Sequence, residues 1–250
     1  MDILTQTISL LFRHRQTEIG RFGQDIDHIQ RKQLHALLST ARKTEWGLKY
    51  DYKSIHTYED FRNRLPIQTY EEVKPYVERL RAGEQNLLWP SEIRWFAKSS
   101  GTTNDKSKFL PVSKEALNDT HYQGGKDAVA LYLGQNPDSR FFSGQGLILG
   151  GSHSPNLNSR HGLVGDLSAI LIQNIHPLVN CVRVPSKKIA LMSDFEKKIE
   201  AIANSTIPVN VTSLSGVPSW MLVLIKRILE KTGKQALEEV WPNLEVFFHG

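Results

Sequence analysis

The stretch Ser99-Ser100-Gly101-Thr102-Thr103-Asn104-Asp105-Lys106-Ser107-Lys108-Phe109 decides how the rest of this chain is read. Ser99, Ser100, Thr102 and Thr103 flank one glycine, Lys106 and Lys108 follow, and apolar segments lie on both sides. Hydroxyls and the backbone N–H groups around a glycine can wrap an anion, and a nearby lysine neutralises it. Immediately upstream, Ile93 to Ala97 predicts a short strand that delivers the chain into this loop. Downstream, Phe109-Leu110-Pro111-Val112 is extended, and Ser113 opens a long helix towards Leu133.

Further towards the C-terminus, strands and helices alternate. Gly144 to Gly151 (GQGLILGG) is a glycine-bracketed apolar run of strand length, and Ser152 to Asp166 is a polar loop expected at the surface. The GxGxxxG spacing is set aside as a dinucleotide fingerprint, because its apolar residues lie inside the glycines, where that motif needs a loop entering a helix. Ser193 with Glu196 predicts a capped helix to about Ala203, Pro208 to Leu214 alternates as a strand, and Pro218 opens an apolar helix through Leu229. Thr232-Gly233 ends that helix, Gln235 to Trp241 forms a short one, and Leu244 to Phe248 is a strand running into His249-Gly250.

Towards the N-terminus the pattern is helical. Ile3, Ile8, Leu10 and Leu11 share one side of a helix, and Ile26, Ile29, Leu34, Leu37, Leu38 and Ala41 continue the spacing in a second. His28, Arg31, Lys32 and His35 read as a solvated face, and Trp46, Tyr50 and Tyr52 as rings covering an apolar surface. Thr57 with Asp60 and Thr69 with Glu72 predict two capping boxes, and Gly83 supplies a left-handed helix end after Arg81-Ala82. The expected fold class is α/β: a helical portion over residues 1–90 packing on the core, then an α/β portion over residues 91–250. That second portion is expected to hold a mixed, mostly buried sheet with flanking helices. A chain ending on a buried-looking strand predicts part of something longer.

The 250 residues carry 31 basic and 26 acidic side chains, a formal charge of +5 that suits an anionic ligand but is no nucleic-acid signature. One cysteine, Cys181, excludes an internal disulfide and a Cys-rich metal site, and is expected to be a small buried apolar residue. The apolar N-terminal run has Asp2 before it and Arg13 and Arg15 after it, the reverse of a signal peptide. No apolar run approaches the roughly 18 residues that span a bilayer, so a soluble, cytoplasmic protein with no membrane or nucleic-acid partner is expected.

The central loop is not a Walker motif, since Lys106-Ser107 has no glycine before it. Ser99-Ser100-Gly101-Thr102-Thr103 with Lys108 instead resembles the SSGTT-x-G-x-x-K phosphate-binding motif of the auxin-responsive acyl acid amido synthetases, members of the adenylate-forming superfamily. Phe61 to Ile67 with Tyr70-Glu71, Gly83-Glu84, Ser215-Gly216-Val217-Pro218-Ser219-Trp220 and Leu244 to Gly250 resemble bacterial members in the same order. The resemblance implies the large N-terminal domain of such an enzyme, with ATP and Mg2+ as the small molecules. A carboxylic acid would be adenylated and then conjugated to an amine or amino acid.

By that resemblance Ser99, Ser100, Gly101, Thr102, Thr103 and Lys108 would hold the phosphates, with Lys108 as the catalytic charge. Ser215, Gly216, Val217, His249 and Gly250 would lie near the substrate, and Trp220, Met221, Val223 and Leu224 are candidate pocket or core residues. Asp105 departs from the glycine usual in plant members. The later family motifs and the small C-terminal lid domain would lie beyond Gly250, so the chain reads as an N-terminal half, inactive alone. A non-catalytic nucleotide- or protein-binding module and another adenylate-forming acyl ligase remain alternatives.

Overall fold

Side-chain caps start the helices close to where the sequence signals them. The computed structural model of the protein describes residues 2–99 and 108–249. Helices α1 (Ile3–Arg21), α2 (Ile26–Ala41), α3 (Glu45–Lys49), α4 (Tyr58–Arg64) and α5 (Tyr70–Ala82) come first. At α4 the Asp60 N–H donates to Thr57 Oγ1 at 3.0 Å while the Thr57 N–H donates to Asp60 Oδ2 at 2.9 Å. Such reciprocal capping satisfies two amides that the first turn leaves free. At α5 the Thr69 N–H and hydroxyl both donate to Glu72 Oε2, at 2.6 and 2.7 Å, and the helix ends on Gly83 in the left-handed region at φ 108°.

The chain then forms β1 (Trp95–Lys98), β2 (Phe109–Val112), a π-helical turn (Ala116–Tyr122), α6 (Gln123–Gln135), β3 (Gln145–Leu149) and β4 (Leu163–Gly165). Next come α7 (Leu167–Asn174), α8 (Pro177–Asn180), β5 (Arg183–Val184), α9 (Lys187–Ala190), α10 (Phe195–Thr206), β6 (Val211–Gly216), α11 (Pro218–Thr232) and β7 (Val246–Phe248). The α/β class expected from the sequence holds, but the strands divide between two sheets. One is three-stranded in the order β2-β1-β4, and the other four-stranded in the order β5-β3-β6-β7. Connection chemistry accounts for this. β1 and β2 pair antiparallel across the single loop that joins them, whereas β3, β5, β6 and β7 are separated by helices, and helical crossovers bring strands back parallel.

Two compact units result, residues 17–124 with 155–164 and residues 1–16 with 125–154 and 165–250. Strands β1 and β2 thus group with the helices before them. In the first unit Val77 and Leu80 of α5 pack with Leu87, Ile93, Phe96 and Val164. In the second, Leu147, Leu149, Val211 and Leu214 of the parallel sheet pack against Ile199, Ile202 and Ala203 of α10 and Met221, Leu224 and Ile228 of α11. Each large apolar side chain buried there stabilises the fold by about 1.5–3 kcal/mol. Trp241 closes this core and donates its indole N–H to the Thr206 carbonyl at 3.1 Å.

Three local expectations are corrected. The cap of α10 is Asp194, whose carboxylate accepts from the Lys197 N–H at 3.0 Å, so Ser193 lies just outside the helix. Cys181 is exposed, because it follows the short α8 on the surface of its unit. The stretch 152–166 is not surface loop throughout: Leu163–Gly165 is strand β4 with Val164 buried, and Asn158 Oδ1 accepts from the Val164 N–H at 2.7 Å.

Candidate functional site

In the first unit, the two ends of the hydroxyl-rich stretch that the structure describes meet at the mouth of the β1–β2 hairpin. Lys98 pairs with Phe109 as the last ladder step. Beyond it, the Ser99 N–H donates to the Lys108 carbonyl at 2.9 Å, and the Lys108 N–H donates to Ser99 Oγ at 3.3 Å. Ser100, Gly101, Thr102, Thr103, Asp105 and Lys106 lie outside the described residues, as does Gly250. Tyr70, in the first turn of α5, holds the outgoing strand: its hydroxyl accepts from the Phe109 N–H at 2.9 Å. The Lys108 ammonium stands 5.6 Å from the centre of the Tyr70 ring. Both ends of the intervening segment are therefore fixed by strand pairing, by a mutual hydrogen-bonded pair and by a helix. The Ser99 hydroxyl accepts one of those bonds and keeps its own proton to donate.

In the second unit, Ser215, Gly216, Val217 and His249 share the carboxyl edge of the parallel sheet. Ser215 is the partner of Ile148 in β3 and of Phe248 in β7, so the residues after these three strand ends lie side by side. Gly216 is required where it stands: a Cβ there would come within 2.6 Å of the Leu149 carbonyl oxygen, and its φ is 156°. Val217 is the N-cap of α11, with Pro218 as its first residue. The carboxyl ends of parallel strands are where open α/β sheets bind ligands, and a helix N-terminus adds free amides. His249 is exposed at this edge. Met221 and Leu224 are fully buried in the α11 core contact, so they pack the core, while Val223 is exposed.

Sequence reasoning missed the polar support beneath this edge. After β3 the chain turns through Gly150-Gly151, where the Gly151 N–H donates to Ser168 Oγ at 2.8 Å and the Ser152 N–H to Asp166 Oδ2 at 2.9 Å. Gly151 tolerates no side chain, because a Cβ would lie 2.1 Å from that carboxylate oxygen. Lys198 of α10 is 3% exposed and donates to the carbonyls of Gly150 at 3.2 Å and Gly151 at 2.8 Å. Burial lowers its pKa, with the Asp166 charge acting in the opposite sense. The available signal was spacing: Lys198 stands four residues before Ile202 and eight before Thr206, both on the buried face of α10. Among the described residues no group of three His, Cys, Asp or Glu side chains is placed to hold a metal ion. No helix among them is long and apolar enough to cross a membrane.

A parallel sheet with a glycine turn opening a helix at its carboxyl edge makes the second unit an α/β one. Residues 15–250 match the family described as GH3 family N-terminal domain, and the chain belongs to that family. Among curated relatives, it is 34% identical over 106 residues to a probable indole-3-acetic acid-amido synthetase of Oryza sativa subsp. japonica, a match covering 40% of this chain and 17% of the relative. It is 32% identical over 102 residues to a jasmonoyl--L-amino acid synthetase of Nicotiana attenuata, covering 39% and 17%. A solved GH3.15 acyl acid amido synthetase superposes with a TM-score of 0.74 at 17% identity, over 94% of this chain and 50% of that one, which establishes the shared fold. The chain thus spans half of that solved relative, and its matches span about a fifth of the curated ones.

Proposed function

We propose that this chain is the N-terminal part of a cytoplasmic, ATP-dependent ligase that activates a carboxylic acid as an acyl adenylate and passes the acyl group to an amine. Family membership supports the reaction class, and the names of the relatives, indole-3-acetic acid-amido and jasmonoyl-amino acid synthetases, suggest an amino acid as acceptor. The observation that carries the reading is the closed mouth of the hairpin, where Ser99 and Lys108 hold each other's backbone. Ends held in this way bring Ser99 and Lys108 to one place, where a hydroxyl and an ammonium can serve the same triphosphate, and positioning with charge stabilisation dominates phosphoryl chemistry.

In the first step a carboxylate oxygen of the acid attacks the α-phosphorus, and the bond to the pyrophosphate oxygen breaks with its electron pair leaving on pyrophosphate. Ser99, Ser100, Thr102 and Thr103 donate to the phosphate oxygens, Gly101 lets the backbone approach them, and the Lys108 ammonium offsets their charge. A Mg2+ ion, when bound, would supply further positive charge beside that of Lys108; magnesium usually takes few protein ligands in such sites. In the second step an amine nitrogen attacks the acyl carbon, AMP leaves, and the nitrogen loses a proton to solvent. Ser215, Gly216 and Val217 at the sheet edge, with His249 just after β7 and with Gly250, are assigned to the acyl and adenylate side.

The test is exchange of labelled pyrophosphate into ATP, driven by a panel of carboxylic acids, in a protein of the relatives' full length that carries this chain. Lys108→Ala should lower exchange by about 100-fold, as loss of one charge-stabilising donor does elsewhere. Unchanged exchange in that variant would remove the loop from the mechanism.

A further inference from the structure

The parallel sheet carries a second cation that nothing above uses. Arg183 begins β5 and is 5% exposed. Its Nη1 donates to the Pro185 carbonyl at 2.9 Å. Its Nε and Nη2 are buried and have no hydrogen-bond partner among the described residues. Those two nitrogens form one edge of the guanidinium, the edge that meets both oxygens of a carboxylate side-on. The same protein uses that edge elsewhere: Arg15 Nε donates to Asp127 Oδ1 at 2.8 Å and Arg15 Nη2 to Oδ2 at 2.7 Å. A guanidinium keeps its charge throughout the working pH range, so burial without a counter-anion leaves Arg183 with strong donors aimed at nothing.

The surroundings suit an anion. Arg183, Gly146 of β3 and Ser213 of β6 lie side by side in one row of the sheet, and in register such residues face the same side. Gly146 has no side chain between the other two, and Ser213 Oγ leans to within 3.0 Å of where a Gly146 Cβ would stand. The row lies towards the amino end of β3, and the Ser215–Gly216 turn towards its carboxyl end. β5 is two residues long and pairs with β3 alone among the described strands. The preceding segment has Leu178 and Val179 exposed within the four-residue α8. Arg183 therefore stands on an edge strand of the sheet, not a central one. Burial also lowers the pKa of Arg183.

We propose that the Nε/Nη2 edge of Arg183, with the Ser213 hydroxyl in the same row, is a binding site for a small oxyanion, a carboxylate or a phosphate, at the β5 edge of the parallel sheet. The site is bidentate, so it prefers two coplanar oxygens over chloride. It stands whether or not the hairpin loop holds ATP.

The Arg183 Nε–Hε resonance of the ¹⁵N-labelled 250-residue chain reports the site directly, with Arg183→Lys used only to assign it. Sodium phosphate and sodium acetate are titrated separately, with sodium chloride holding ionic strength constant. A saturable shift with half-saturation below about 10 mM, and Hε exchange slowed at least about tenfold, is expected. Saturation by phosphate alone or by acetate alone assigns the source, and either supports the site. No saturable change with either anion, or the same change with chloride alone, overturns it. In parallel, the saturating anion should raise the melting temperature of the wild type and leave that of Arg183→Met unmoved; an equal rise in both would also overturn it.

Discussion

Replacing Lys198 by methionine keeps the aliphatic stem and removes the ammonium that binds the Gly150 and Gly151 carbonyls at 3.2 and 2.8 Å. Hydrogen bonds from a charged donor contribute about 1.5–3 kcal/mol each, and a buried carbonyl left without a partner costs about 1–3 kcal/mol. Relief of the buried charge works the other way, so a net loss of about 2–4 kcal/mol is expected. At about 2–4 °C per kcal/mol for a chain of this size, the melting temperature should fall by about 4–16 °C. The loss should also depend on pH in a definite sense. Burial holds the folded pKa of Lys198 below the ordinary 10.5. A depressed folded pKa means that the folded protein sheds this proton before the unfolded chain does, so stability rises with pH between the folded pKa and 10.5. Methionine does not titrate, so the wild-type advantage should widen as pH rises from neutrality towards 10.5. Thermal melts of both proteins across that range are the assay. A variant that melts within a degree of wild type, or a gap that narrows with rising pH, would refute the account of this lysine as the support of the Gly150–Gly151 turn.

Three further outcomes follow from particular contacts. Glu200 accepts from Arg227 and Lys231, and these partners lower its pKa from 4.5 to about 2. Its contribution should be present above pH 4.5 and fade as the pH falls towards 2, so the melting difference between wild type and Glu200→Gln should disappear at the acid end of that window, and a constant difference would contradict the assignment. Gly216→Ala drives a Cβ against the Leu149 carbonyl, which is backbone and cannot turn away, so denaturant titration should show a loss of about 1–3 kcal/mol. Tyr70→Phe removes the hydroxyl that accepts from the Phe109 N–H and should weaken ATP binding several-fold while changing the melting temperature little; equal affinity in both proteins would free the loop from α5.

Features that depend on neighbours in sequence were legible. Thr57 with Asp60 builds the capping box that its spacing announces, and Glu72 reaches back to Thr69 as its spacing announces, because both partners sit within one turn. Gly83 takes the left-handed end for the same local reason. Pairing between distant segments was not legible. β1 and β4 join one sheet across more than sixty residues, and nothing in Trp95 to Lys98 states whether it will pair within a mixed sheet or apart from it. Of the candidate site, Ser99 and Lys108 meet because the strands around them pair, and Ser215 meets Phe248 because β6 and β7 run parallel. Lys198 and Arg183 were unreadable for a different reason. In Glu196-Lys197-Lys198-Ile199-Glu200 two adjacent lysines have the same chemistry, and only the rotation of α10 against the sheet buries one and leaves the other in solvent. Ser193 and Asp194 are both competent caps, and one residue of phase decides between them.

The central claim is that the segment closed by Ser99 and Lys108 holds the phosphates of ATP. Its most direct test is calorimetric titration of the 250-residue chain with ATP and Mg2+, comparing wild type with Lys108→Ala after melts confirm that both are equally folded. The account predicts saturable binding by the wild type and at least about tenfold weaker binding by the variant, a difference of about 1.4 kcal/mol. Equal affinity in the two proteins would contradict it.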